Sequence, residues 1–157
     1  MTEEKTTIRE QLAEGRTVVV TTRGVSMQPL LYEGKTFVTI VPLRRPLKKL
    51  DLPIYFRPDG KYVIHRLVAM DDSHYYTRGD NCLSREIIPK DWVLGLVVQI
   101  HRKGKVIRVT DFSYRAYASF WNAIYPLRYC VYRFKSICRK LAGPAPHNKD
   151  SHSGKAE

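Results

Sequence analysis

Three short segments of this chain carry side chains that can do chemistry, and each lies beside a run that reads as β. Gly24-Val25-Ser26-Met27-Gln28-Pro29-Leu30-Leu31 follows a stretch of β-branched residues. Tyr62-Val63-Ile64-His65-Arg66-Leu67 is itself such a stretch, and Thr77-Arg78-Gly79-Asp80-Asn81 closes another at a turn. A serine hydroxyl is a poor nucleophile near neutral pH and needs a base to take its proton. Histidine titrates near neutrality, so it can accept that proton and return it to a leaving amine. A carboxylate on the second ring nitrogen fixes the tautomer and stabilises the imidazolium. Ser26, His65 and Asp80 suit these parts of nucleophile, general base and orienting acid, in that order.

Plainer readings stand beside these. Ser26 alone is an ordinary turn serine. His65 lies in phase with Val63 and Leu67, a half-buried place that suits a satisfied core histidine as well as a base. Asp80 suits the corner of a Gly-Asp-Asn turn. Cys82 is close to Asp80, but no motif makes it part of a Cys–His enzyme, and it reads as a turn thiol. His74, His101, His147 and His152 read as surface residues. The clusters Arg44, Arg45, Lys48, Lys49 and Arg102-Lys103-Gly104-Lys105 read as solvated loops. Cys82, Cys130 and Cys138 form no CxxC pair, so no zinc site, other metal or cofactor is expected, and reduced thiols fit a cytosolic setting.

The elements that must position these residues follow from period and turn chemistry. Glu3 to Glu14 reads as a short polar helix with Ile8 and Leu12 on one face and Gly15 at its end. β-type runs then occupy Thr17–Thr22, Thr36–Val41, Ile54–Arg57, Tyr62–Val68, Tyr75–Thr77, Val93–Ile100 and Val106–Val109. Glu33-Gly34, Pro58-Asp59-Gly60, Gly79-Asp80-Asn81 and Lys103-Gly104-Lys105 divide them. Short strands at this spacing predict a mainly β, antiparallel domain. After Asp111 the period becomes helical, with Phe120, Ile124, Leu127, Val131, Phe134, Cys138 and Leu141 on one stripe. Pro126 breaks that stripe into two helices or one kinked at Tyr125. The expected organisation is a catalytic β-domain over 1–111, a basic amphipathic extension over 112–142 and a disordered tail over 143–157, which lacks large apolar residues.

In this order and spacing, the three reactive segments resemble the signal peptidase I family, and more broadly the fold shared with the self-cleaving repressors of the SOS response. The resemblance covers about Val18 to Val98. Ser26-Met27 followed by Pro29 is similar to that family's nucleophile segment. Tyr62-Val63-Ile64-His65-Arg66 looks like the histidine-containing type found in microsomal, archaeal and sporulation members, and Gly79-Asp80-Asn81 looks like the box that follows it. The resemblance implies a serine endopeptidase with Ser26 as nucleophile, His65 as base and Asp80 in support. It puts the oxyanion hole at the Ser26 backbone N–H, with Gly24, Met27 and Pro29 around the oxyanion and substrate. The chain departs from the pattern in four places, one being Gly34-Lys35 and Leu50-Asp51-Leu52 where the family commonly has Gly-Asp before its next strands. Gly24 stands where a hydroxyl residue often assists the oxyanion. Ser84-Arg85-Glu86 stands where a second Asp is usual, leaving Asp80 to act alone or with Glu86. No membrane-spanning anchor precedes the nucleophile.

Composition narrows the partners. The 157 residues suffice for one domain with a real core. Lys and Arg number 27 against 15 acids, a net charge of +12 that favours an anionic partner. The N-terminus lacks the apolar core of a signal peptide, and no apolar run reaches the roughly 18 residues needed to cross a bilayer. The expected setting is therefore cytoplasmic or peripheral to a membrane. The residues before Ser26 leave no room for a helix-turn-helix, so nucleic acid is not expected. The substrate implied is a leader or signal-type peptide or preprotein. Residues 120–141 read either as a helix covering one side of the β-domain through Leu127, Val131, Phe134 and Leu141, or as an interfacial helix on an anionic membrane surface with Trp121, Tyr125, Tyr129 and Tyr132 at headgroup level, the reading favoured by five cations and no acid. The alternative is a degenerate member of the same fold that binds peptides or a maturation complex without cutting them.

Overall fold

The computed structural model describes residues 7–141, and the side chains of residues 7–134. The start of the predicted first helix and the predicted tail over 143–157 lie outside the described residues. The chain forms two compact units, residues 1–123 and 124–157.

The first unit is mainly β. Its strands are β1 (Val18–Thr21), β2 (Thr36–Pro42), β3 (Pro53–Phe56), β4 (Tyr62–Ile64), β5 (Arg66–Met70), β6 (His74–Arg78), β7 (Glu86–Pro89), β8 (Val93–Arg102) and β9 (Lys105–Arg108). Helix α1 (Ile8–Ala13) precedes them, and α2 (Phe112–Ala123) follows. All pairings are antiparallel. One sheet runs β1-β2-β8-β3-β4, with β9 also on β8, and the other runs β5-β6-β7. β8 is the spine of the larger sheet, pairing with β2, β3 and β9. Bulges at Thr39/Ile40 and Ile54/Tyr55 add local bend and twist.

Two apolar clusters hold these layers. Val38, Ile40, Leu52, Ile54, Val97 and Ile100 are buried together with Leu12 of α1 and Met27, Leu30 and Leu31 of the loop that carries Ser26. Leu47, Tyr55, Leu67, Tyr75, Ile88 and Leu96 form the second, where the two sheets meet. Each fully buried aliphatic side chain contributes roughly 1.5–3 kcal/mol, so the loop bearing Ser26 is anchored by its own apolar residues. Helix α1 starts on a capping box, in which Thr7 Oγ1 accepts the Glu10 N–H and Glu10 accepts the Thr7 N–H.

Three sequence expectations need correction. The run Tyr62–Val68 is not one strand: it breaks at His65, with β4 in the larger sheet and β5 in the smaller. Strand β7 was not expected, because Glu86-Ile87-Ile88-Pro89 is short and ends in proline. The boundary expected after Asp111 falls after Ala123. The reason is packing, since α2 buries Tyr114 and Ala118 in the main core. The apolar stripe read from Phe120 onward is therefore not the packed face of α2, and Phe120 itself is exposed.

The second unit contains α3 (Tyr125–Leu141), separated from α2 at the break expected from Pro126. Pro126 lies in the first turn of α3, where a missing N–H costs nothing.

Candidate active site

Ser26 sits on a loop tied at its neck by Thr22. The Thr22 N–H donates to the Thr36 carbonyl at 3.0 Å, and the Thr22 hydroxyl donates to the Tyr32 carbonyl at 3.1 Å. Gly24 has a φ of 79°, a left-handed conformation that disfavours a side chain and turns the chain into Ser26. A turn then closes as the Gln28 N–H donates to the Val25 carbonyl at 3.1 Å. The Gln28–Pro29 peptide is cis, and the Pro29 carbonyl accepts from Arg102 at 2.6 Å.

The Gly79-Asp80-Asn81 corner at the end of β6 clasps this loop. The Asn81 N–H donates to the Ser26 carbonyl at 2.8 Å. A Cβ on Gly79 would lie 2.5 Å from that same carbonyl oxygen and 2.8 Å from Cys82 Sγ, so only glycine fits.

His65 occupies the break between β4 and β5 and is buried. Its Nε2 lies 3.1 Å from Ser26 Oγ, and its Nδ1 lies 3.1 Å from the Tyr55 hydroxyl. Tyr55, fully buried on β3, donates to Glu86 Oε2 at 2.6 Å, and Glu86 also holds the Arg57 guanidinium. Glu86 Oε2 is itself 3.5 Å from His65 Nδ1. These contacts fix the proton positions. An ionised Glu86 only accepts, so it takes the Tyr55 proton. The Tyr55 oxygen then accepts from His65 Nδ1–H, and Nε2 is left with its lone pair facing the Ser26 hydroxyl.

Burial pushes the His65 pKa below its ordinary value, opposed by the negative charge of Glu86. Burial alone would raise Glu86, but its hydrogen bonds to Arg57 and Tyr55 outweigh that and hold it below the usual range. Burial pushes the Tyr55 phenol up, and its hydrogen bond to Glu86 adds to this, so it stays protonated as the bridging donor. A neutral imidazole next to an ionised carboxylate is the pairing that general-base work requires.

Asp80 does not orient His65. Its carboxylate accepts from Arg66 through both oxygens, at 2.8 and 2.7 Å, and from the Tyr117 hydroxyl at 3.1 Å. Arg66 is 2% exposed and also donates to the Tyr114 hydroxyl at 3.0 Å. Helix α2 completes the clasp, as Trp121 Nε1 donates to the Asp80 carbonyl at 2.9 Å. Met27 also departs from expectation: its side chain is buried in the core and its sulfur accepts the Asp80 N–H at 3.4 Å, so it braces the loop and does not face a substrate. Pro29 likewise shapes the loop. Gly24 is exposed beside Ser26.

Sequence reasoning missed Tyr55 and Arg57, and it ranked Glu86 below Asp80. Tyr55 reads as a core aromatic because its strand is buried. Among the described residues no cluster of His, Cys, Asp and Glu could hold a metal ion. A cavity of about 590 Å³ between Gly15, Arg44, Arg45, Leu96 and Arg108 includes none of the site residues.

A nucleophile and a base in hydrogen-bond reach, with the base oriented by a third group, is the geometry that acyl transfer needs. No protein-family model matches the chain, and no curated protein matches it.

Proposed function

We propose that this protein is a serine endopeptidase that cleaves a leader or signal-type peptide, with Ser26 as nucleophile and His65 as general base. The observation that carries the reading is the 3.1 Å approach of His65 Nε2 to Ser26 Oγ, with Nδ1 tied to the Tyr55–Glu86 pair. Ser26 Oγ attacks the scissile carbonyl carbon while its proton passes to His65 Nε2. The tetrahedral intermediate collapses, the C–N bond breaks, and His65 returns the proton to the leaving amine. Water then enters by the same route in reverse and frees the acyl group. The imidazolium formed at each stage faces Glu86 through Tyr55. By the family resemblance the Ser26 N–H faces the oxyanion, and one such donor contributes on the order of 100-fold in rate.

The sheet topology favours an extended peptide as substrate. β1 and β4 end the two sides of the strand path β1-β2-β8-β3-β4. β1 leads into the Ser26 loop and β4 leads into His65, so the contact between these residues brings both strand ends to one place. A peptide laid along such an edge gains main-chain hydrogen bonds and presents its carbonyl to Ser26.

N-terminal peptide mapping on cells expressing wild type or Ser26→Ala tests the reading. New N-termini only with wild type are expected, and small residues at the first and third positions before the cut would mark export-signal processing. Equal cutting by the folded alanine variant sinks the serine mechanism. No new N-termini, together with a Ser26 that resists phosphonate labelling, would favour a peptide-binding protein without catalysis.

A further inference from the structure

Helix α3 carries an apolar stripe that its own unit leaves in water. Leu127 and Phe134 are 66% and 68% exposed, and Val131 between them is 47% exposed. Their spacing of four and three residues puts them on one face. Tyr129 and Tyr132 are exposed as well. The sequence of α3 holds five cations, Arg128, Arg133, Lys135, Arg139 and Lys140, and no acid.

Charge and hydrophobicity together select among occupants. A second copy of this chain would bring five like charges against these five, and the sequence of α3 holds no acid to set between them. A nucleic acid would take the cations but leave Leu127, Val131 and Phe134 in water. An anionic bilayer surface satisfies both demands. The acyl boundary takes the apolar stripe, and anionic lipids take the cations that flank it on their long stems. The helix lies on such a surface and does not cross it, because no helix among the described residues is long and apolar enough to do so.

We propose that α3 is an interfacial helix that docks this protein on an anionic lipid surface through Leu127, Val131 and Phe134. This stands on residues apart from Ser26 and His65 and does not depend on catalysis.

The test is sedimentation of the full chain with vesicles of phosphatidylcholine alone or with about 30% phosphatidylglycerol, at low and high salt. Binding to the anionic vesicles is expected, weakening as salt rises. Leu127→Asn with Phe134→Asn abolishes it, while Ser26→Ala leaves it unchanged. Arg133→Gln with Arg139→Gln lowers it roughly 30-fold, given the usual worth of a cation near an anionic surface. Circular dichroism checks that each variant keeps its fold. Equal binding to neutral and anionic vesicles, no binding to either, or wild-type binding by the folded Leu127/Phe134 variant would overturn the proposal. So would a dimer in the absence of lipid that the same variant dissolves, or binding to duplex DNA that exceeds binding to vesicles.

Discussion

Replacing Glu86 by glutamine removes one charge from the site and keeps its shape. The carboxylate lies 3.5 Å from His65 Nδ1 and accepts the Tyr55 hydroxyl at 2.6 Å. A unit-charge pair at this range is worth about 4 kcal/mol at an effective dielectric near 20, and about 1 kcal/mol in water. Two features move this site towards the lower figure: the Glu86 side chain is 25% exposed, and Arg57 offsets much of its charge. A stabilisation of about 1–2 kcal/mol for the imidazolium follows, or a factor of about 5–30 in rate. The imidazolium forms on the way to the transition state and is absent from the resting enzyme, so the loss falls on kcat. The pH profile moves in a definite direction. If His65 is the neutral base proposed, kcat/KM is full above its pKa and falls below it. Burial holds that pKa below the ordinary value and Glu86 opposes the shift. Without Glu86, and with Arg57 left unopposed, the pKa falls further. Cleavage of a quenched fluorescent peptide, followed from acid to neutral pH, should therefore show a lower plateau and an acid limb displaced to lower pH. Asp80→Asn serves as the contrast and should displace the limb less, because Asp80 is engaged by Arg66 and Tyr117. A larger displacement from Asp80→Asn, or an unmoved limb in Glu86→Gln, would refute Glu86 as the orienting acid.

Two further outcomes test how the site is held. Asp80→Ala leaves Arg66 charged, 2% exposed and without its carboxylate, which should lower unfolding free energy by about 3–5 kcal/mol in a urea titration; an unchanged midpoint would show that the pair contributes no such anchoring. Gly79→Ala drives a methyl to 2.5 Å from the Ser26 carbonyl oxygen, so the nucleophile loop must move. A displacement near 1 Å costs on the order of 100-fold in rate, whereas overpacking costs about 1–3 kcal/mol in stability. Wild-type kcat/KM in that variant would mean that the clasp does not set the position of Ser26.

Much of the fold was legible because β-branched runs and turn residues coincide. Val18-Val19-Val20 and Thr36–Val41 alternate or cluster as strands do, and Pro126 marks the helix break by its missing donor. What failed to show was the change of partner at His65. A continuous β-type run gives the same local signal whether its two ends join one sheet or two. Strand β7 was hidden for a related reason: four residues ending in proline gain their strand character only by pairing with β6. The packing of α2 was also obscured, because its inward residues are Tyr114 and Ala118 while its two phenylalanines, Phe112 and Phe120, face water. Ser26 and His65 stood out only through the resemblance of their segments, taken with Gly79-Asp80-Asn81, to one family's motifs, and the fold brings them to 3.1 Å. Tyr55 was not legible, and Glu86 appeared only as a second choice to Asp80, since 31 residues separate Tyr55 from Glu86 and only the folded β3 and β7 bring them to 2.6 Å.

The place of Asp80 explains why a sequence motif can mark a site without supplying its acid. Arg66 follows the base in sequence, and Met27 follows the nucleophile. Asp80 binds both, its carboxylate holding Arg66 and its N–H meeting the Met27 sulfur. The next residue, Asn81, binds the Ser26 carbonyl directly. One corner thus fixes the backbone on either side of the Ser26–His65 contact. A buried ion pair of this kind adds little net stability over an apolar substitute, because desolvation offsets the attraction. Its directional bonds do restrict geometry, however, and a contact 3.1 Å long between residues 39 apart needs that restriction. On the proposed mechanism Asp80 is therefore a positioning residue, and the electrostatic work on His65 falls to Glu86. The sequence leaves Asp80 to act alone or with Glu86, and the contacts give the two carboxylates different partners.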